Sequence, residues 1–120
     1  MQEVKATGDS TIAYNEKLAD RIRKVLARRK AVNEKKMFGG IAFMLRGKMC
    51  CGVLKDDLVV RVGADRYSEA LTRPHARPMN FTGRPLKGFV YVGPRGYRTD
   101  RALQKWLSAA MRFVSSLEGR

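Results

Sequence analysis

KMFGGIAFMLRGKMCCGVLKDDLVV, residues 36–60, is the stretch whose reading decides the fold. Lys36-Met37-Phe38 runs into Gly39-Gly40, and Ile41 to Arg46 is apolar and extended in character. Gly47-Lys48 has the composition of a two-residue hairpin turn, after which Met49 to Leu54 resumes an apolar run. Lys55-Asp56-Asp57 turns the chain again and Leu58 to Val62 follows. Short apolar runs punctuated in this way read as an antiparallel meander of three or four strands. Gly39-Gly40 reads as a bend between strands, where a side chain would clash or a positive φ is needed.

Before this stretch, the spacing predicts a helix over about residues 14–29. Tyr14, Leu18, Ile22, Val25 and Leu26 recur at steps of three and four and share one face. Lys17, Arg21, Lys24 and Arg28 form a second stripe beside the apolar one, continued by Arg29, Lys30, Lys35 and Lys36. Residues 1–12 read as a flexible N-terminal arm and residues 13–118 as one domain.

After the stretch, Gly63-Ala64-Asp65 opens a short helix through about Leu71, with Asp65 at its positive end. Thr72 to Gly88 holds Pro74, Pro78, Pro85, Gly83 and Gly88 and reads mostly as loop. Phe89-Val90-Tyr91-Val92 is a strand ended by Gly93-Pro94. A last helix begins with Thr99 as cap, and Leu103, Trp106, Leu107, Ala110, Phe113, Val114 and Leu117 lie on one of its faces. The fold class is therefore α+β. It is a small antiparallel sheet of about four to five strands, packed with an N-terminal and a C-terminal amphipathic helix plus one short middle helix.

The chain has 120 residues, 44% of them hydrophobic, enough for one core without disulfides or metal. No apolar run is long enough to span a bilayer and the first ten residues lack a secretory signal, so the expected compartment is the cytoplasm. Lysine and arginine number 25 against 11 acids, a formal net charge of +14. Such a charge attracts polyanions but carries no sequence-specific recognition by itself.

Lys36-Met37-Phe38-Gly39-Gly40-Ile41-Ala42-Phe43 followed by Gly47-Lys48-Met49 resembles the opening signature of the TfoX N-terminal domain. Gly83-Arg84-Pro85-Leu86-Lys87-Gly88-Phe89-Val90-Tyr91-Val92 is similar to a later segment of that family, as is the last helix with Trp106. The resemblance covers roughly Tyr14 to Leu117. It implies a compact α+β domain of TfoX/Sxy-like regulators of DNA uptake (competence), here as an N-terminal domain without the C-terminal helical one. It supplies no catalytic residues. The signature residues Met37, Phe38, Gly39, Gly40, Gly83 and Gly88 read as structural.

Catalytic chemistry finds little material in the sequence. His75 has no acid near it, since none occurs from Ala70 through Thr99. Gly83 to Gly88 has the spacing of a phosphate loop, but Phe89 stands where its lysine should be. Asp56-Asp57 reads as turn chemistry. Cys50 and Cys51 are adjacent, and on a regular strand they would point to opposite faces, one into the core and one towards solvent. No catalytic residue, cofactor or metal site is expected.

The binding candidates are basic: the stripe Lys17, Arg21, Lys24 and Arg28, and a second group, Arg73, Arg77, Arg84, Lys87, Arg95 and Arg98. Phe81 and Tyr97 sit in basic loops, either as stacking platforms for bases or as buried loop anchors. The expected function is a non-enzymatic module that associates with nucleic acid with weak sequence preference, or assists a transcription regulator. The alternative is a protein-interaction or self-association module, with either a monomer or a homodimer as its state.

Overall fold

Strand pairing in the computed structural model, which describes residues 14–37, 39–80 and 83–118, follows the punctuated apolar runs of the central stretch. The strands are β1 (Val32–Met37), β2 (Gly40–Leu45), β3 (Lys48–Leu54), β4 (Asp57–Arg61), β5 (Ala76–Asn80) and β6 (Pro85–Val92). The helices are α1 (Glu16–Leu26), α2 (Tyr67–Leu71) and α3 (Asp100–Glu118). All strand pairs are antiparallel, in the order β1-β2-β3-β4-β6-β5.

Register turns the sequence pattern into a core. Phe43, Cys51, Val60 and Val90 lie opposite one another across four strands, as do Ile41, Val53, Leu58 and Val92. These two rows are buried in one cluster with Leu18, Ile22 and Leu26 of α1, Ala70 of α2, and Leu103, Trp106, Leu107, Ala110 and Val114 of α3. All three helices therefore share one core, with α3 over β3 and β4 and α2 against β5 and β6. The alternate row, Lys35, Ala42, Gly52, Val59, Tyr91 and Arg77, runs across all six strands and contributes only Ala42 and Val59 as buried side chains.

The sheet has six strands instead of four or five. The additional one is β5, inside the segment read as loop. Pro78 cannot donate to a ladder, but β5 is an edge strand, where one side of the backbone has no partner strand to lose. Pro85 occupies the first position of β6, the other place a strand tolerates proline. The hairpin turn is Arg46-Gly47, one residue earlier than expected, because Leu45 pairs with Lys48. Both turn residues have positive φ, 53° and 80°, the signature of the tight turn that matches strand twist and wants glycine second.

α1 is shorter than expected at both ends. The Asn15 side chain accepts from the Leu18 N–H at 3.0 Å and caps the helix, leaving Tyr14 outside it as a bridge partner of Lys55. At the other end the chain leaves the helix after Leu26 and turns into β1 through Ala31, whose φ is 62°. Thr99 caps α3 as expected, its hydroxyl accepting from the Ala102 N–H at 3.1 Å. Both halves of the Gly39-Gly40 reading hold. Gly39 has a φ of 79°, and a Cβ on Gly40 would fall 2.3 Å from the Val53 carbonyl oxygen. The expected arm, residues 1–12, and the signature residue Phe38 lie outside the described residues.

The cysteine expectation is overturned. Phe43 pairs with Cys51 and Met44 with Met49, so Cys50 is the extra residue of a β-bulge. A bulge breaks the alternation of faces. Cys50 and Cys51 are consequently both buried in the same core cluster.

Candidate nucleic-acid interface

The cations of the first helix divide by what faces them. Helical spacing places Lys17, Arg21 and Lys24 on one side of α1, with Arg28 continuing the line just past its end. Lys17, Lys24 and Arg28 are exposed and make no hydrogen bond or ion pair among the described residues. Arg21 is half-buried. Its Nη2 donates to the Arg98 carbonyl at 3.1 Å and to Asp100 at 3.3 Å, and its guanidinium lies 5.8 Å from the Tyr97 ring. Arg21 thus clamps the loop 93–99 against α1 and brings the backbone of Arg98 beside the stripe. Arg23, off this stripe, is neutralised by Glu34 of β1 through two donors at 2.6 and 2.9 Å, and by Asp20 at 2.5 Å. Those hydrogen bonds from Arg23 hold the Glu34 carboxyl below its ordinary range.

Past the helix end, Arg28, Arg29 and Lys30 line a cavity of about 310 Å³ with Arg46 of the hairpin turn, Leu45, Val114 and Ser115. Among the described residues, no acid lines it. Arg46 belongs to it because the β2–β3 turn folds back on the exit from α1, where the Arg46 N–H donates to the Ala31 carbonyl at 2.9 Å. Charge counting in the sequence reaches Arg29 and Lys30 as neighbours of the stripe but misses Arg46. Only the turn, placed one residue earlier, brings it there.

The second basic group does not form one surface. Arg73 is half-buried, its guanidinium 3.5 Å from the centroid of the Trp106 ring, and burial lowers its pKa. Arg77 reaches across β6, 5.0 Å from the Tyr91 ring, and forks onto Asp57 of β4 at 3.2 and 2.5 Å. The hydrogen bond to Asp57 raises the Arg77 pKa. Arg84 and Lys87 are exposed near the β5–β6 turn, while Arg95 and Arg98 are exposed in the loop that Arg21 clamps.

Tyr97 is a buried anchor: its hydroxyl donates to the Asp56 carbonyl at 2.6 Å, and burial raises its pKa. Phe81 lies outside the described residues. Asp56 also accepts from the Asn15 amide at 3.3 Å, so the acid pair of the β3–β4 turn ties down α1, β5 and the loop 93–99. His75 is exposed, with its carbonyl accepting from the Gly93 N–H at 3.0 Å. The Cys51 thiol, hydrogen-bonded to Cys50 and fully buried, has its pKa pushed well above the ordinary value. Among the described residues no three of His, Cys, Asp and Glu come together as a metal cluster would require. No helix among them is long and apolar enough to cross a membrane.

A family model described as the TfoX N-terminal domain matches residues 24–114. The chain belongs to that family. The matched span takes in the end of α1, the whole sheet and most of α3. It includes Met37, Gly39, Gly40, Gly83 and Gly88 of the signature, and every basic residue above except Lys17, Arg21 and Arg23. No curated protein and no solved structure matches the chain.

Proposed function

We propose that this TfoX N-terminal domain is a non-enzymatic cytoplasmic module that binds nucleic acid through phosphate contacts, with weak sequence preference, in support of a transcription regulator. The carrying observation is the line Lys17, Lys24 and Arg28, exposed without acid partners among the described residues and widened by the loop that Arg21 holds beside it. A rigid row of cations on a helix suits the spaced charges of a phosphate backbone, and nothing on it offers a base-reading pattern. Arg95 and Arg98 extend the row, and Arg84 and Lys87 form an outlying contact. Arg73 and Arg77 serve the fold. The self-association alternative finds less support, because Leu86 is the one exposed large hydrophobic among the described residues.

The test is fluorescence anisotropy with duplex DNA, single-stranded DNA and RNA over a range of salt. With about five phosphates neutralised, the log–log slope on duplex should be about −4.5, and unrelated sequences should bind alike. Absence of salt-dependent binding near about 50 mM salt on all three would sink the proposal.

A further inference from the structure

The bulge in β3 does more than bury two thiols. On a regular strand Cys50 and Cys51 would stand on opposite faces, and the inserted residue turns both into the core beneath the helices. There the two side chains are hydrogen-bonded to each other, so two sulfur donors sit side by side. Met111, buried on the face of α3 that packs over β3, meets them: it lines one narrow void together with Cys50. The void is too narrow for a water molecule, and the side chains described along it are hydrocarbon or sulfur. Val32 and Met44 complete its wall and are only half-buried, which brings it to just below the surface.

We propose that Cys50, Cys51 and Met111 form a binding site for copper(I). Thiolate and thioether sulfurs are soft donors that select this ion, whereas magnesium and calcium take oxygen and structural zinc closes with four ligands. Binding exchanges two S–H bonds for two copper–sulfur bonds and releases both protons to solvent, with no change of oxidation state. The ion and two thiolates together carry one negative charge, and the fold places cations beside it. Arg61 Nη1 donates to the Met49 carbonyl at 3.2 Å, next to Cys50, and both Arg61 and Arg29 act electrostatically on the Cys50 sulfur. A bare ion needs less room to enter than a thiol-modifying reagent does. Once bound it ties β3 to α3, two elements that otherwise meet through apolar packing alone, so the folded chain binds it and is stabilised by it. The site is independent of the proposed binding of nucleic acid.

The experiment titrates the full, reduced chain with copper(I) under anaerobic conditions against a coloured copper(I) chelator, and repeats the titration on Met111→Leu and on Cys50→Ala/Cys51→Ala. The parent should take up one equivalent, with X-ray absorption showing sulfur alone around the metal. Met111→Leu nearly conserves volume and keeps the fold, so its loss of affinity, at least about tenfold, reads the third sulfur and not stability. The double alanine variant should lose stoichiometric uptake. Thermal melting separates a native site from metal captured by unfolded thiols: copper(I) should raise the parent's melting temperature and raise that of Met111→Leu less. No uptake by the parent, equal affinity of the parent and Met111→Leu, or a melting temperature that copper(I) leaves unchanged or lowers would each overturn the site.

Discussion

Along α1 and just past its end, Lys17, Lys24 and Arg28 project with no hydrogen bond or ion pair among the described residues, while Arg73 and Arg77, in a segment poorer still in acids, are both taken up by the protein itself. Local charge balance would rank the two regions the other way. Arg73 to Arg98 has no acid among its own residues, whereas α1 contains Glu16 and Asp20. The difference lies in what the fold sets opposite each cation. Trp106 and Asp57 come from elements distant in sequence, and β5 and the end of α2 deliver Arg73 and Arg77 to them. A cluster of cations is thus a candidate surface only after the partners supplied by the fold have been subtracted.

The largest effect that would break this comparison is on binding. Reversing Lys17, Lys24 and Arg28 together to glutamate removes three contacts and adds three repulsions. Affinity for duplex DNA near 50 mM salt should fall by about a hundredfold or more, with a salt slope smaller by about 3. Circular dichroism and thermal melting should stay close to the parent, because these side chains are exposed and make no hydrogen bond or ion pair among the described residues. If Arg73→Ala weakened binding as much as the triple reversal, the division between the two regions would fail.

Arg73→Ala should instead act on stability. It removes a guanidinium lying on the indole of Trp106 and uncovers part of that ring, a loss of about 1–2 kcal/mol by chemical denaturation. Arg77→Ala should cost about 0.5–1 kcal/mol, because the pair with Asp57 is partly exposed and screened. Both variants should retain DNA affinity within about twofold when compared at temperatures where they are folded.

The helices were legible because their apolar residues recur at helical spacing, and the central meander because its short apolar runs are punctuated by turn residues. What escaped is what these local patterns do not encode. β5 was hidden by Pro78, which breaks a strand only when both its edges are paired. Cys50 and Cys51 broke the alternation because a bulge inserts one residue into β3, and no residue pattern in Met49-Cys50-Cys51-Gly52 marks that insertion. The hairpin turn was misplaced by one residue, although glycine in second position pointed to Arg46-Gly47. The row on α1 could be read from helical spacing alone. The cavity beside it could not, since Arg46 joins Arg28, Arg29 and Lys30 only through the tertiary fold. The bulge carries its own test: neither thiol should react with a disulfide reagent until the chain unfolds, and a reactive Cys50 in the native protein would contradict the shared burial.

Arg23 provides the finest test, because it repeats the comparison within one helix. It lies on α1 like the row, yet Glu34 and Asp20 neutralise it. Glu34→Gln should therefore move two properties in opposite directions. Stability falls by less than about 1 kcal/mol, the worth of a partly exposed pair, while affinity for DNA rises by about two- to threefold as Arg23 loses one of its two carboxylate partners. The stability effect has a defined pH course. Arg23 holds the Glu34 carboxyl below its ordinary value of 4.5, so the folded protein binds this proton less readily than the unfolded chain. The contribution is fully present above the unfolded value and is lost as the pH falls through the lowered folded one. Melting curves of the parent and Glu34→Gln should accordingly differ at pH 6 and converge towards pH 3, and a gap that widened on acidification would place the source of the difference elsewhere.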